Sequence, residues 1–476
     1  MSDIQQKIKN NFSQISEKWD TDIIPQLENY IRIPNKSPMF DRNWKANGYM
    51  TEAMQLIKNW CEKQAIKNMK VELLQIENRT PVLLIDIPGD SDETILLYGH
   101  MDKQPEMTGW SDGLGPWTPV LKDGKLYGRG GADDGYAVFS ALTAIAYLQS
   151  LNILHAHCVV LIEASEESGS VDLPAYLALI KKQMGSPNLI ICLDSESGNY
   201  EQLWGTTSLR GLIGGNLHID TLVNGIHSGI NSGVVPSVFH VLRLLLDRIE
   251  DPHNGKITVD ALHVEVPADR LAQIKAAAEI LGDDIIKSIP FLAGVQPLYH
   301  NPIDIILNRT WEPALSLIGI DGIPAIENAG NVTLPSLSVK LSMRVPPTCD
   351  VKKASCALKE ILETDSPFNT KVRYESEDHG GGWNSPTLSP WLAKANNDAS
   401  ELFYAKKAAY IGIGGSIPFM GMLGEMFPKA QYLITGVLGP KSNAHGPNEF
   451  LHIDYAKKLT GCVASVIAAH YFVHIP

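Results

Sequence analysis

The sequence has no apolar run near the ~18–20 residues that span a bilayer, so no membrane association is expected. It has no excess of positive charge: 40 Lys and Arg stand against 53 Asp and Glu, a net charge of −13. Phosphate backbones are bound by basic surfaces, so a general nucleic-acid binder is excluded. Six cysteines are scattered with no C-x-x-C pair, and they read as small buried thiols. The opening residues Met1 to Lys7 are polar and lack the apolar core of a secretory signal, which makes a cytoplasmic protein the expectation. Repeats and low-complexity tracts are also missing. What is present is ordinary for a folded protein: 476 residues, 44% hydrophobic and 20% charged, enough for two or three domains.

Apolar residues at helical spacing predict a helix over Met50–Cys61. Strand-like runs follow at Val71–Ile76, Val82–Ile87 and Thr94–Tyr98, then a helix at Tyr136–Leu148. A strand at Cys158–Ile162, a helix near Leu173–Lys182 and a strand at Leu189–Leu193 continue the alternation. Buried strands separated by helices indicate an α/β fold, a mixed but mostly parallel sheet flanked by helices.

The pattern changes at Arg210-Gly211. A strand at Leu212–Ile219, helices at Val234–Ile249 and Ala268–Leu281, a strand at Ser336–Val345 and a helix at Val351–Glu363 predict a two-layer α+β module. In the Ser336–Val345 strand Leu337, Val339, Leu341 and Met343 face one way, while Ser338, Lys340, Ser342 and Arg344 face the other. Gly380-Gly381-Gly382 and Pro386 mark the return. A helix from Pro390, a strand at Tyr432–Val437 and a helix at Tyr455–Phe472 restore the first pattern. The expected organisation is one discontinuous domain, 1–209 and 385–476, interrupted by an inserted domain, 210–384.

Ligands of open α/β sheets bind beyond the carboxyl ends of strands, and that is where the chemistry-bearing side chains lie. Thr94–Tyr98 leads to His100 and Asp102, Cys158–Ile162 to Glu166 and Glu167, Leu189–Leu193 to Asp194, and Tyr432–Val437 to His445. Asp133-Asp134 follows the glycine-rich turn Gly128-Arg129-Gly130-Gly131. Singly each has a plain reading: a loop histidine, a helix cap, a solvated acid pair. Together, two histidines and several carboxylates at the strand ends of one sheet suit zinc or a similar divalent ion. A dinucleotide-binding reading of the glycines fails, because no strong strand directly precedes them.

These segments resemble the co-catalytic di-metal peptidase family of carnosinase, acetylornithine deacetylase, succinyl-diaminopimelate desuccinylase and aminoacylase. The resemblance rests on Gly99-His100-Met101-Asp102-Lys103-Gln104-Pro105, Gly128 to Asp134, and Glu166-Glu167-Ser168-Gly169. His227-Ser228-Gly229, Asn331 to Pro335 with Arg344, Gly414-Gly415-Ser416 and Asn443-Ala444-His445 extend it. The Gln-Pro ending is nearest the carnosinase-like dipeptidases. The resemblance implies two divalent ions per subunit, zinc with manganese or cobalt as alternatives. Asp133 would bridge them, with His100 and Asp194 completing one site and Glu167 and His445 the other. Glu166 would be general base and acid, and Asp102 would orient His100.

The same resemblance makes the inserted domain a lid and dimerisation domain, whose His227 enters the partner's site in a homodimer. Arg344, Asn331, Gly415 and Ser416 would bind the substrate. The activity implied is hydrolysis of an amide next to a free carboxylate in dipeptides or short peptides; deacylation of N-acyl amino acids is the alternative, and a non-catalytic scaffold the least favoured. Three departures bear on substrate identity rather than on ligands: Gly412-Ile413 for the family's Arg-Glu, Ser232-Gly233 for its Gly-Gly, and Ala164-Ser165 where a glycine is usual.

Overall fold

The computed structural model describes residues 2–377 and 380–474. The chain forms two compact units: 1–207 with 385–411 and 417–476, and 208–384 with 412–416. The short run Gly412–Ser416 therefore belongs with the second unit, outside the expected 210–384.

The first unit is built on a mixed sheet in the order Lys70–Leu74, Val82–Ile87, His157–Glu163, Thr94–His100, Leu189–Cys192, Gln431–Ile434 and Trp204–Leu209. The parallel part is confined to the four strands from His157–Glu163 to Gln431–Ile434, and the flanking pairs are antiparallel. Every residue of Thr94–His100 and Leu189–Cys192 is buried, as expected of strands covered on both faces. Helix Tyr136–Ser150 is apolar nearly all round and is buried accordingly. So is Ile453–His474, where Gly461 lies so near Phe403 that a β-carbon would stand 2.6 Å from its ring.

Most expected elements form close to their expected bounds, and two differ for identifiable reasons. The helix expected over Val234–Ile249 runs Val238–Leu246, because Pro236 disfavours helical geometry before it and Ser237 takes the cap position. The strand expected over Tyr432–Val437 stops at Ile434. There the chain crosses Ser195, and a β-carbon on Gly436 would lie 2.0 Å from the Ser195 carbonyl oxygen. No element was anticipated before Met50, yet Ser2–Asn10, Ser13–Lys18 and Ile24–Ile31 are helices whose Ile8, Ile15, Leu27 and Tyr30 enter the core.

The second unit carries a four-stranded antiparallel sheet in the order Ala314–Asp321, Ser336–Val345, Gly211–Asp220 and Lys371–Ser376. Helices Val238–Leu246 and Val351–Glu363 cover its apolar face, where Leu337, Val339, Leu341 and Met343 are all buried, as the alternation requires. Asp350 caps the second helix by accepting the N–H groups of Lys352 and Lys353, each at 3.1 Å. Among the described residues no helix is long and apolar enough to cross a membrane.

Leu97 is wholly buried at the centre of the parallel strands. Leu97→Ala should lower the free energy of urea unfolding by about 2–5 kcal/mol; a loss under ~1 kcal/mol would show that the site collapses around the gap.

Candidate metal centre

Because Thr94–His100, His157–Glu163, Leu189–Cys192 and Gln431–Ile434 run parallel, their carboxyl ends share one edge of the sheet. His100 ends the first, Glu166 and Glu167 open a short turn beyond the second, and Asp194 lies two residues past the third. His445 follows the fourth through a loop. Asp133 comes from the turn Gly131–Gly135, at the foot of helix Tyr136–Ser150 and joined to Asp134 by a cis peptide bond.

These loops converge on Asp133. Its Oδ1 lies 3.2 Å from His100 Nε2, and its Oδ2 lies 3.0 Å from His445 Nε2. Asp194 Oδ2 is 3.7 Å from His100 Nε2, and Glu167 Oε2 is 3.4 Å from His445 Nε2. The result is two triads, His100/Asp133/Asp194 and Asp133/Glu167/His445, each with ligand atoms within 4.8 Å of one another. Glu166 belongs to neither triad, and its Oε2 stands 4.0 Å from His100 Nε2.

Charge is crowded here. Burial raises the Glu167 carboxyl to about 8, with Asp133 adding to the effect. Burial also lifts Asp194 to about 6; His100 opposes the shift and Asp133 adds to it. Glu166 is pushed well up by burial and by Asp194. Asp133 alone is held low: burial opposes this, but hydrogen bonds from His100 and His445 outweigh it. Burial works against protonation of His445, yet the bond to Asp133 and the nearby acids raise it to about 9. Six acids, counting Asp102 and Asp134, thus surround two imidazoles. Borderline nitrogen and hard oxygen donors in a buried, electron-rich cradle fit divalent cations, and zinc among them. Glu167 Oε1 is buried without a hydrogen-bond partner among the described residues, as a free ligand atom should be.

The surrounding contacts aim these groups. His100 Nδ1 is 3.1 Å from the Asp102 main-chain oxygen and 3.4 Å from its Oδ1. The Asp102 carboxylate accepts the N–H groups of Glu166 and Glu167 at 3.1 and 3.0 Å. Asp102 therefore reaches His100 mainly through its backbone, and its carboxylate fastens the glutamate turn. Glu163 fastens the same turn from below, accepting the hydroxyls of Ser165 and Ser170 at 3.1 and 2.8 Å. Glu163 had no role assigned from sequence, and nor had two further contributors. Asp134 Oδ2 accepts the His100 N–H at 3.1 Å, and Gln104 Nε2 donates to Glu167 Oε2 at 2.5 Å. Their proximity in sequence to Asp133 and Asp102 was the available signal.

The second unit holds the other five expected residues. His227 is exposed, its Nδ1 accepting the Gly229 N–H at 3.0 Å. It pairs with Val332 in a two-stranded ribbon, and the Asn331 carbonyl accepts the Ser228 N–H at 2.9 Å, so His227 and Asn331 are brought together. Arg344 lies on the polar sheet face with Nη1 buried and unpartnered among the described residues. Arg210, whose pKa falls to about 10 through burial and the nearby charges of Arg344 and Arg309, donates to the Gly414 carbonyl at 3.3 Å. Gly415 is exposed and Ser416 half-buried beside it.

A parallel sheet edge presenting two histidine–carboxylate triads that share one aspartate defines a metal-dependent hydrolase. The chain belongs to peptidase family M20/M25/M40, whose model matches residues 96–469, and it is a metallopeptidase, as its motifs implied. The cysteinylglycine-S-conjugate dipeptidase of Corynebacterium striatum is 25% identical over 395 residues, covering 80% of this chain and 83% of the relative. The Beta-Ala-His dipeptidase of Homo sapiens is 27% identical over 391 residues, covering 78% and 73%. The solved structure of the di-peptidase Dug1p from Saccharomyces cerevisiae shares the fold, with a TM-score of 0.77 at 22% identity and 99% of both chains covered.

A shared aspartate would make the triad residues unequal to mutation. Asp133→Ala should empty both, whereas His445→Ala should leave about one ion per chain, measured by plasma emission on dialysed protein. Equal losses in the two variants would refute the bridging arrangement.

Proposed function

We propose that the chain hydrolyses dipeptides or short peptides at an amide next to a free carboxylate. The observation that carries this is Asp133, which offers one carboxylate oxygen to each triad. His100, Asp133 and Asp194 would hold one ion, and Asp133, Glu167 and His445 the other. Two divalent ions so held supply Lewis acidity toward water and toward a carbonyl oxygen. Glu166 takes the proton of the attacking water and returns it to the departing amine, while Asp102 holds the Glu166–Glu167 turn in place. Arg344 receives the substrate carboxylate: a buried guanidinium nitrogen lacking a partner among the described residues is suited to an anion. Asn331 and the main-chain N–H groups at Gly415 and Ser416 assist it. Zinc suits the donors, with manganese or cobalt able to replace it. The names of the two dipeptidase relatives support peptides over N-acyl amino acids as substrates. Six unpaired cysteines, five of them buried, accord with a cytoplasmic setting.

The working form is a homodimer joined through the second unit. Strand Ala314–Asp321 is a sheet edge that exposes Leu317, Ile318 and Ile320 at 47, 61 and 58%. Unpaired apolar edges of this kind are suited to a second copy. In that dimer His227 acts in the active site of the other chain, donating to the carbonyl oxygen as charge develops on it.

Glu166→Gln should lower turnover by at least ~100-fold with both metals retained. The wild type should cleave a dipeptide panel in preference to N-acetyl and N-succinyl amino acids. Near-normal turnover of the variant would move the base elsewhere, and a preference for N-acyl substrates would make the enzyme a deacylase.

Sharing of His227 is tested by mixing. His227→Ala and Glu166→Gln chains, each inactive alone, should regain about a quarter of wild-type activity after subunit exchange, since one site of each mixed dimer is whole. Exchange without recovery would place His227 outside the partner's site.

A further inference from the structure

His445 is the ligand least held by its own surroundings. Its side chain is 57% exposed, and the acids within its reach are Asp133 and Glu167. Its backbone sits at φ +65°, in the left-handed region. A residue with a β-carbon stays there only where its neighbours over-determine it.

The neighbours that do so are Arg129 and Glu449. The buried Arg129 guanidinium donates from Nη1 to Glu449 Oε2 at 2.5 Å, and from Nη2 to the carbonyl of Gly446, the residue after His445, at 2.8 Å. Glu449 is fully buried and accepts the Gly130 N–H on Oε1 at 2.8 Å. Its own carbonyl accepts the Gly128 N–H at 3.0 Å. The turn that leads to Asp133 and the loop that carries His445 are thereby fastened at four points around one ion pair. Phe450–His452 then pairs antiparallel with Lys125–Tyr127 and fixes the register of both.

Burying two charges is a poor way to gain stability, because desolvation cancels most of the attraction. What a guanidinium fork provides is direction: two donors in one plane, one for a carboxylate and one for a carbonyl. We infer that Arg129 and Glu449 are positioning residues that set His445 against Asp133. They govern cation binding by the Asp133/Glu167/His445 triad; the His100/Asp133/Asp194 triad, whose turn Asp134 fastens separately to the His100 N–H, is left alone. This rests on reading the two triads as metal sites.

The test is a zinc titration of metal-free wild type, Glu449→Gln, Arg129→Met and Arg129→Lys by calorimetry, with bound zinc counted after gel filtration. The wild type should take up two ions, and uptake of none would sink the metal-centre reading together with this one. Given two, each variant should bind one ion as the wild type does and the other about 10–100-fold more weakly. Arg129→Lys should behave like Arg129→Met, since charge without the fork does not reach both acceptors. Adding Glu449→Gln to His445→Ala should leave the remaining ion's affinity unchanged. Loss of both affinities together, no loss of either, or a further loss in the double variant would each overturn the inference. Should Glu449→Gln fail to fold, the two Arg129 variants carry the same test.

Discussion

Everything in the first unit answers to the repulsion among carboxylates packed around Asp133. Left to themselves in water these groups would separate; in the fold they are buried beside one another, and Glu166, Glu167 and Asp194 rise above ordinary carboxylate values, first through burial and then through their acidic neighbours. Stability does not explain such an arrangement. A pair of dications in the two triads would, because each would neutralise charge that the protein has gathered at its own expense.

Holding the cluster together falls to main-chain donors rather than to basic side chains. Asp102 is satisfied by two successive N–H groups of the glutamate turn, while Asp134 Oδ2 accepts the N–H of His100 and Glu449 Oε1 that of Gly130. In each case an acid outside the two triads secures the backbone of a segment that carries a triad residue or Glu166. Peptide donors carry no net charge, so they restrain the acids without competing for them as lysine or arginine would. Arg129 is the exception among these contacts, and it is turned away from the ligands toward Glu449.

Much of this was legible in the sequence because the central strands are unbroken apolar runs whose ends can be counted to the residue. His100, Glu166, Glu167 and Asp194 each follow such a run, and the cleanly alternating Ser336–Val345 strand declares both of its faces. The N-terminal helices carry a fainter signal: Ile4 and Ile8, and Ile24, Leu27 and Ile31, recur at helical spacing, but in segments otherwise mostly polar. The contacts that aim the ligands were not legible. Arg129 meets Glu449 across 320 positions, and no local pattern records so distant a partner. The exact hold of Asp102 was also hidden, since spacing places it near His100 without telling whether carbonyl or carboxylate makes the bond.

The first unit is closed by its last helix, and that has a consequence for how the protein is made. Strand Gln431–Ile434 lies between Leu189–Cys192 and Trp204–Leu209, and helix Ile453–His474 fills the core beside Tyr136–Ser150. A chain leaving the ribosome completes the stretch 208–384 before it can complete the sheet that was begun first. The early strands pair with one another, but the edge of Leu189–Cys192 that Gln431–Ile434 will cover must wait, apolar and unpaired, while more than two hundred residues are added. Such a delay leaves that edge open to false pairing and to chaperones until the stretch beyond residue 384 arrives.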